Sequence, residues 1–320
     1  IFEWPVDGSI GVSNNARANE DFWELSYAGE VALIHKLRNF LVGSTISTFY
    51  GQKITREEGA PEKEDELISG NVRVGRVGLR YNIDRRDSLR FPTSGFTFDA
   101  ETAWARYWLG GDLRYFRWEF RNNYYFGLFQ DLVFAIGLEV TSYENVERAS
   151  AANTQNILPP SERLFSGGRD SVRGYAPREL GPIVRSPVFK IDEGTDEPGW
   201  DCTYRSSKLG GSKRTLLQME LRYRLLENIA LASFVDSGNT FFSQGEMREF
   251  AAAYADSLDP GLQQATDPCF GINPARSVED NVGYTYAELL QKPGYFFSRH
   301  YLSYGLSVNW LTPIGSVNIA

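Results

Sequence analysis

Residues 217–225 read Leu-Gln-Met-Glu-Leu-Arg-Tyr-Arg-Leu. Large apolar side chains occupy every odd position of this stretch, and polar or charged side chains occupy every even position. Successive side chains of a β-strand point to opposite faces, so the stretch predicts a strand with one apolar face and one charged face. Large apolar side chains also occupy alternate positions at residues 116–120, 132–140 and 302–310, where the intervening positions are charged, polar or, at several positions, small or apolar. The repetition predicts an all-β, antiparallel architecture whose neighbouring strands share these two faces.

The composition indicates which of the two faces meets water. Aromatic residues make up 14% of the 320 residues, and they recur near the ends of alternating segments, where a bilayer barrel places its interfacial aromatic side chains. The apolar face is bulky and continuous, whereas the opposite face carries Arg and Glu on successive strands. A mean hydropathy of -0.35 fits a barrel because every second residue faces a polar lumen. The sequence therefore predicts a transmembrane antiparallel β-barrel.

The lengths of the connections predict the orientation of the barrel. We count about eleven strand-like segments, the first near residues 2–14 and the last near residues 316–320. Short connections alternate with longer polar ones, of which the longest span residues 53–69, 145–213 and 244–295. Outer-membrane barrels have short periplasmic turns and long extracellular loops. We therefore place the long connections outside the cell.

Several classes of function are disfavoured by the sequence. A formal net charge of -8 argues against a nucleic-acid partner. The two cysteines and two histidines lack the spacing of a metal site. The glycine-rich segment 166–174 lacks the Gly-Lys-Ser/Thr ending of a phosphate-binding loop, and the chain has no Gly-x-Ser-x-Gly nucleophile. We therefore expect no enzymatic activity, no cofactor and no metal.

The most specific motif lies in the connection 145–213. Residues 163–175 read Arg-Leu-Phe-Ser-Gly-Gly-Arg-Asp-Ser-Val-Arg-Gly-Tyr. This segment resembles the loop signature of the BamA/TamA superfamily of outer-membrane assembly and translocation proteins, in which a Gly-Gly pair precedes Val-Arg-Gly-Phe/Tyr. Three further segments resemble the same family in order and spacing: residues 84–95, 234–239 and 310–315. The resemblance covers nearly the whole chain.

The resemblance implies that this loop enters the lumen and that Arg173 contacts the inner wall. The matching wall carboxylates are Glu220 and Asp236, and alternation places Glu220 on the charged face. A guanidinium pairs bidentately with carboxylates, and a pair away from bulk water is costly to break. The candidate site therefore consists of the loop motif and the two wall carboxylates that Arg173 would contact: Gly167, Gly168, Ser171, Val172, Arg173, Gly174, Tyr175, Glu220 and Asp236.

The resemblance also bears on the extent of the domain. The family barrel has sixteen strands, which implies that residues 1–320 are an incomplete barrel domain. Residues 145–213 would be its lumen-entering loop. We expect the first strands, the final strand and the periplasmic POTRA domains of the family to lie outside this sequence.

The two cysteines fall in different long connections on the same predicted side of the membrane. Cys202 lies within residues 145–213, and Cys269 lies within residues 244–295. That side faces an oxidising compartment, in which disulfides form and persist. We therefore predict a Cys202–Cys269 disulfide, with two unpaired cysteines as the alternative.

The leading hypothesis from the resemblance is an assembly factor that inserts and folds β-barrel clients in the bacterial outer membrane. Its partners would be unfolded outer-membrane protein clients and the lipid bilayer, together with periplasmic chaperones and accessory lipoproteins. Two alternatives stay open: a translocation pore of the two-partner-secretion type, and a barrel that anchors an upstream patatin-like lipase domain. The upstream sequence would discriminate, because several POTRA repeats favour assembly, two favour secretion, and a lipase domain favours the anchor.

Overall fold

The computed structural model describes residues 6–18, 23–36, 44–58, 72–148, 158–159, 162–191, 198–243, 245–246, 300–312 and 315–319. These ranges are almost entirely β-strand, with a short 3-10 helix at Tyr107–Leu109. The strands of the described chain are β1 (Val6–Ala18), β2 (Trp23–Lys36), β3 (Ser44–Glu58), β4 (Val72–Asp84), β5 (Gly95–Ala105), β6 (Leu113–Phe129), β7 (Leu132–Arg148), β8 (Ile183–Ile191), β9 (Pro198–Lys208), β10 (Lys213–Leu226), β11 (Ile229–Phe241), β12 (Tyr301–Thr312) and β13 (Gly315–Ile319). Within the same ranges, no helix combines the length and the apolar character needed to cross a membrane.

Eleven of these strands form one antiparallel sheet. Its order is β1-β2-β3-β4-β5-β6-β7-β10-β11-β12-β13, so consecutive strands pair except where β10 lies beside β7. The other two strands, β8 and β9, form a separate hairpin inside the connection between β7 and β10. The sheet confirms the all-β antiparallel architecture and the number of strands that the alternation predicts.

Two strands extend further than the sequence pattern indicates. Residues 53–58 and 145–148 belong to the predicted loops, yet β3 continues to Glu58 and β7 continues to Arg148. In both strands these residues still pair with a neighbouring strand. The ladder is made by backbone N–H and C=O groups, so a change to polar side chains does not end a strand.

The two faces of the sheet have opposite chemical character. One face exposes a large apolar side chain on each of six strands: Leu79, Phe120, Leu138, Leu221, Leu231 and Leu306. The other face buries polar side chains such as Asp236 and Glu139. An apolar surface that continues across six strands is unfavourable in water and favourable against lipid. We call the apolar face the outer wall and the polar face the inner wall.

The inner wall of β4 to β10 carries a ladder of ion pairs, formed both between neighbouring strands and along β6. Glu101 on β5 lies 2.8 Å from the guanidinium of Arg80 on β4 and 2.6 Å from that of Arg117 on β6. On the next strand, β7, Glu139 accepts a hydrogen bond from the guanidinium of Arg121 at 3.0 Å. Arg117 and Arg121 also pair with Glu119, and Arg214 on β10 pairs with Glu139. Each of these carboxylates therefore lies between two guanidinium groups, which offsets the cost of holding the charges on this wall.

The connection between β4 and β5 folds inward. Phe91 is buried against Val133 of β7 and Ala230 of β11, and the guanidinium of Arg224 lies 4.8 Å from its ring centroid. Asp87 accepts hydrogen bonds from the backbone N–H groups of Thr93 at 2.9 Å and Ser94 at 3.2 Å. Partial burial opposes ionisation of this carboxyl group, but its hydrogen bonds outweigh that effect and lower the pKa of Asp87.

A charge placed on the outer wall is expected to destabilise the barrel. Leu221 is near the middle of β10 and is exposed on the outer wall. We expect Leu221→Arg to lower the free energy of unfolding by about 2–4 kcal/mol, measured by urea unfolding in phospholipid vesicles, because it places a guanidinium against hydrocarbon. The control is Glu227→Arg in the exposed turn after β10, which should change stability by about 0–1 kcal/mol. Equal effects of the two substitutions would contradict the assignment of the outer wall to lipid.

Candidate functional site

The connection between β7 and β10 returns to the sheet and lies against its inner wall. We call its residues 162–182 the inner loop. Isolated backbone bridges join Leu164 to Gly211 and Ser166 to Leu180. The hydroxyl oxygens of Ser166 and Thr240 of β11 are 2.5 Å apart. The loop is therefore fixed both to itself and to the end of β11.

Glycine is required at the start of the motif. Gly167 and Gly168 have φ angles of +102° and +92°, a backbone region that residues with a Cβ rarely adopt. A Cβ on Gly167 would lie 2.4 Å from the carbonyl oxygen of Ala176. The backbone N–H of Gly168 donates to the carbonyl oxygen of Tyr175 at 2.8 Å, which closes the motif into a compact turn. Ser171 accepts a hydrogen bond from the N–H of Gly167 at 3.3 Å.

Arg173 joins the inner loop to two carboxylates of the wall. Its Nε and Nη2 donate to the two carboxylate oxygens of Asp236 on β11, each at 2.7 Å. Its Nη1 donates to Glu220 on β10 at 2.5 Å, and its backbone N–H donates to Asp236 at 3.1 Å. The side chains of Arg173, Glu220 and Asp236 are 4%, 12% and 0% exposed. The contact is a buried bidentate ion pair, the strong form of charge-assisted hydrogen bonding. We call this contact of Arg173 with Glu220 and Asp236 the lock.

The charges at this contact balance. Glu220 also accepts a hydrogen bond from Nε of Arg222 at 2.6 Å, so two guanidinium groups face two carboxylates. Burial alone would lower the pKa of Arg173, but its hydrogen bonds and charge interactions with Asp236 and Glu220 outweigh burial and raise that pKa. Arg173 is therefore a permanent cation at any physiological pH.

Phe234 completes the contact, a role that the sequence motifs did not predict. The guanidinium of Arg173 lies 3.8 Å from the centroid of the Phe234 ring, in cation–π geometry. Phe234 is directly opposite Glu220 in the register of β10 and β11. Its position two residues before Asp236, on the same face of β11, is a signal that could have identified it. A Cβ on Gly305 of β12 would lie 2.7 Å from the ring, so this glycine leaves space for it.

The remaining motif residues pack the loop tip against β10 and β12. Val172 is fully buried with Leu180 and with Leu216 of β10. A Cβ on Gly174 would lie 2.6 Å from the Cβ of Ser303 on β12. The hydroxyl of Tyr175 donates to the carbonyl oxygen of Leu302 at 3.4 Å, also on β12. The structure thus brings all nine candidate site residues to one region of β10, β11 and β12.

A second buried charge anchors the beginning of the inner loop. Glu162 is 5% exposed and accepts a hydrogen bond from the hydroxyl of Tyr115 on β6 at 3.2 Å. The guanidinium of Arg76 on β4 lies 3.9 Å from the same carboxylate oxygen. Leu158 and Leu164, on either side of Glu162 in the chain, join the apolar cluster around Tyr115. The sequence alone does not predict this anchor, because a glutamate in a polar connection gives no local signal.

One cysteine of the predicted disulfide lies outside the described residues. Cys202 lies in β9, and Cys269 lies outside the described residues. The pairing stays a prediction. Among the described residues, no group of three or more His, Cys, Asp or Glu side chains is arranged to hold a metal ion.

An antiparallel sheet with an apolar outer wall, and a loop fixed to its charged inner wall, define an outer-membrane β-barrel protein. The Omp85 superfamily domain matches residues 4–320. The chain belongs to the Omp85 superfamily, which confirms the family resemblance carried by the loop motif.

The chain is similar to the outer membrane protein assembly factor BamA of Neisseria meningitidis serogroup B, with 26% identity over 193 residues. This alignment covers 58% of the chain and 21% of that protein. The fold is similar to the crystal structure of BamA from Haemophilus ducreyi lacking POTRA domains 1-3, with a TM-score of 0.64 and 13% identity. That match covers 98% of this chain and 54% of the other. CdiB from Acinetobacter baumannii also matches, with a TM-score of 0.43 and 14% identity over 91% of this chain and 37% of that chain.

These comparisons also bear on length. The chain spans about a fifth of the curated BamA and about half of the solved BamA chain.

Removing the guanidinium of Arg173 is expected to destabilise the barrel. Arg173→Ala leaves Asp236 buried without its cation, and breaking such a buried pair lowers the free energy of unfolding by about 3–5 kcal/mol. Arg173→Lys keeps the positive charge but removes the bidentate guanidinium, so the decrease in the free energy of unfolding should be smaller than in Arg173→Ala. The measurement is urea unfolding in vesicles, followed by heat-modifiable migration on gels. The control is Arg169→Ala, an exposed arginine of the same loop; a loss equal to that of Arg173→Ala would argue against a specific contact.

Glu162 is expected to act as an independent anchor. Glu162→Gln should lower the free energy of unfolding by roughly 1–3 kcal/mol because it weakens buried hydrogen bonds to a charged group. It should also speed proteolysis of the inner loop. Combined with Arg173→Ala, the losses should add to within roughly 0.5 kcal/mol, since the anchors contact different strands. The control Glu147→Gln alters an exposed pair with Arg114, which contributes little. Unchanged stability and proteolysis in Glu162→Gln would exclude the anchor.

Proposed function

We propose that this chain is the barrel portion of an outer-membrane assembly factor that inserts and folds β-barrel clients. The observation that carries the proposal is the Arg173 contact, which holds the Val-Arg-Gly-Tyr loop on the inner wall of an Omp85 barrel. The similarity to BamA, an outer membrane protein assembly factor, supports the same function.

The task of such a factor follows from the physics of the bilayer. A client strand that enters hydrocarbon before it is paired carries unsatisfied N–H and C=O groups, each of which costs several kcal/mol. A strand edge in the membrane can lower this cost by pairing with the client strand. The reaction requires neither bond cleavage nor a cofactor, because the folded client in the bilayer is itself the stable product.

The inner loop contacts β12, which is the neighbour of the last strand of the described sheet. Its tip packs on β12 through Gly174 and Tyr175. β12 in turn pairs with β13, from Val308 opposite Ile319 to Thr312 opposite Gly315. We infer that the Arg173 contact sets the position of β12 and, through it, the last strand of the described sheet. Release of the contact would then change how that part of the sheet presents itself to a client.

The proposed partners are unfolded outer-membrane protein clients and the lipids beside the barrel. Periplasmic chaperones and accessory lipoproteins are further proposed partners, since clients must reach the barrel unfolded. The main alternative is a translocation pore of the two-partner-secretion type. It is favoured by the charged inner wall and by a loop that must move before a chain can pass along it.

The proposal is tested with the full-length parent protein in phospholipid vesicles and an urea-unfolded β-barrel client. We expect the wild-type protein to accelerate the appearance of folded, protease-resistant client. Arg173→Ala should reduce this acceleration several-fold because the inner loop loses its hold on β12. Arg169→Ala should match the wild type.

Ion conductance across the same vesicles separates the two candidate functions. No acceleration of client folding by the wild type, together with conductance that increases in Arg173→Ala, would overturn the assembly proposal and favour the translocation pore. Acceleration that is equal in wild type and Arg173→Ala would support assembly but remove the lock from its mechanism.

A further inference from the structure

The short connection between β5 and β6 folds onto the outer wall instead of continuing away from the sheet. Its 3-10 helix, Tyr107–Leu109, is followed by Gly110 with a φ angle of +83°. The backbone N–H of Arg106 donates to the carbonyl oxygen of Gly75 on β4 at 3.3 Å. The N–H of Asp112 donates to the carbonyl oxygen of Arg73 at 2.7 Å. We call residues 106–112 the outer foot.

The face on which the outer foot lies is fixed by its contacts. Tyr50 on β3 is directly opposite Val77 on β4, and both side chains are exposed on the outer wall. The hydroxyl of Tyr50 donates to the carbonyl oxygen of Leu109 at 3.1 Å. Arg76, between Gly75 and Val77, points to the opposite face, where it meets Glu162 of the inner loop. The outer foot is therefore on the apolar side of the sheet.

Two glycines permit this close approach. A Cβ on Gly75 would lie 2.1 Å from the carbonyl oxygen of Leu109, and a Cβ on Gly111 would lie 2.5 Å from the backbone nitrogen of Gly75. The ion pair between Arg73 and Asp112, at 3.1 Å, closes the base of the foot. Backbone hydrogen bonds, an ion pair and glycine contacts thus hold the connection against β4.

The side chains that the outer foot presents are aromatic and uncovered. Trp108 is 78% exposed and Tyr107 is 41% exposed. They continue an aromatic outer wall on β5 and β6, where the rings of Trp104 and Phe116 are 5.2 Å apart. The foot lies at the end of the strands from which the long connections emerge, and the short turns lie at the opposite end. Tryptophan and tyrosine have an apolar body and a polar tip, which suits them to the boundary between lipid tails and head groups.

We propose that the outer foot is a membrane-binding element, with Trp108 inserted into the interface of the outer leaflet. The occupant is lipid because the foot is continuous with the lipid-facing wall of β3 and β4. In this position the foot fixes the depth of the barrel at these strands and displaces the lipids that would otherwise contact them. The arrangement is independent of the inner loop and of the function proposed above.

The test measures the depth of nitroxide labels in the full-length protein in phosphatidylcholine vesicles. A single cysteine is placed at Trp108 in a Cys202→Ser/Cys269→Ser background and spin-labelled. Two positions with nearly the same exposure serve as references: Leu306, 79% exposed on the outer wall, and Leu89, 75% exposed in the turn between β4 and β5. Collisions with oxygen report lipid, and collisions with a water-soluble nickel complex report water.

The Trp108 label is expected to show an oxygen-to-nickel ratio clearly above that of Leu89 and approaching that of Leu306. A second label at Tyr107 should give the same ordering, and heat-modifiable migration establishes that each labelled protein is folded. A Trp108 ratio equal to that of Leu89 would overturn the proposal, since the foot would then lie in water. If the Trp108 protein does not fold, the Tyr107 label decides the question by the same criterion.

Discussion

A backbone that crosses hydrocarbon must satisfy its N–H and C=O groups within the protein, and this constraint determines most of the structure. It requires long paired strands, and the pleat of those strands sends alternate side chains to lipid and to the interior. Charged residues near the middle of the strands, such as Arg117 and Glu139, therefore lie on the inner wall. There they need partners, because an unpaired charge away from bulk water is costly. The ladder of ion pairs from β4 to β10 follows from the same constraint.

The charged inner wall also allows a long loop to be ordered inside the sheet. Ordering a loop costs about 1–2 kcal/mol per residue in backbone entropy, so one contact could not hold residues 162–182. Several contacts along the loop together offset this cost. Glu162 anchors the beginning of the loop at β4 and β6, Arg173 anchors its tip at β10 and β11, and buried Val172 packs between wall and loop. The two anchors contact separate parts of the sheet, so the loop connects them across the inner wall.

The fold could be predicted from the sequence because strand alternation is a local property. Leu221 and Glu220 are adjacent, and their opposite faces follow from the pleat alone. The partners of Arg173 could be named only through the family resemblance, since the contact joins residues 47 and 63 positions apart.

Other contacts gave no comparable signal. Glu162 looks like an ordinary solvated loop residue, and its partner Tyr115 lies 47 residues away. The outer foot depends on the close approach of Gly75 and Leu109, which only the folded backbone reveals.

β12 is the strand through which the lock and the end of the described sheet are connected. Gly174 of the loop lies against Ser303, and Gly305 lies beneath the Phe234 ring on which Arg173 rests. A side chain at either glycine would collide with its neighbour, so the inner wall of β12 is shaped to the locked loop. β13 pairs with the far end of the same strand. Packed elements respond to displacement by shifting together or by breaking contact. Movement of the lock must therefore either displace β12 with its partner β13 or expose the buried ring and carboxylate, and the second course is the costlier one.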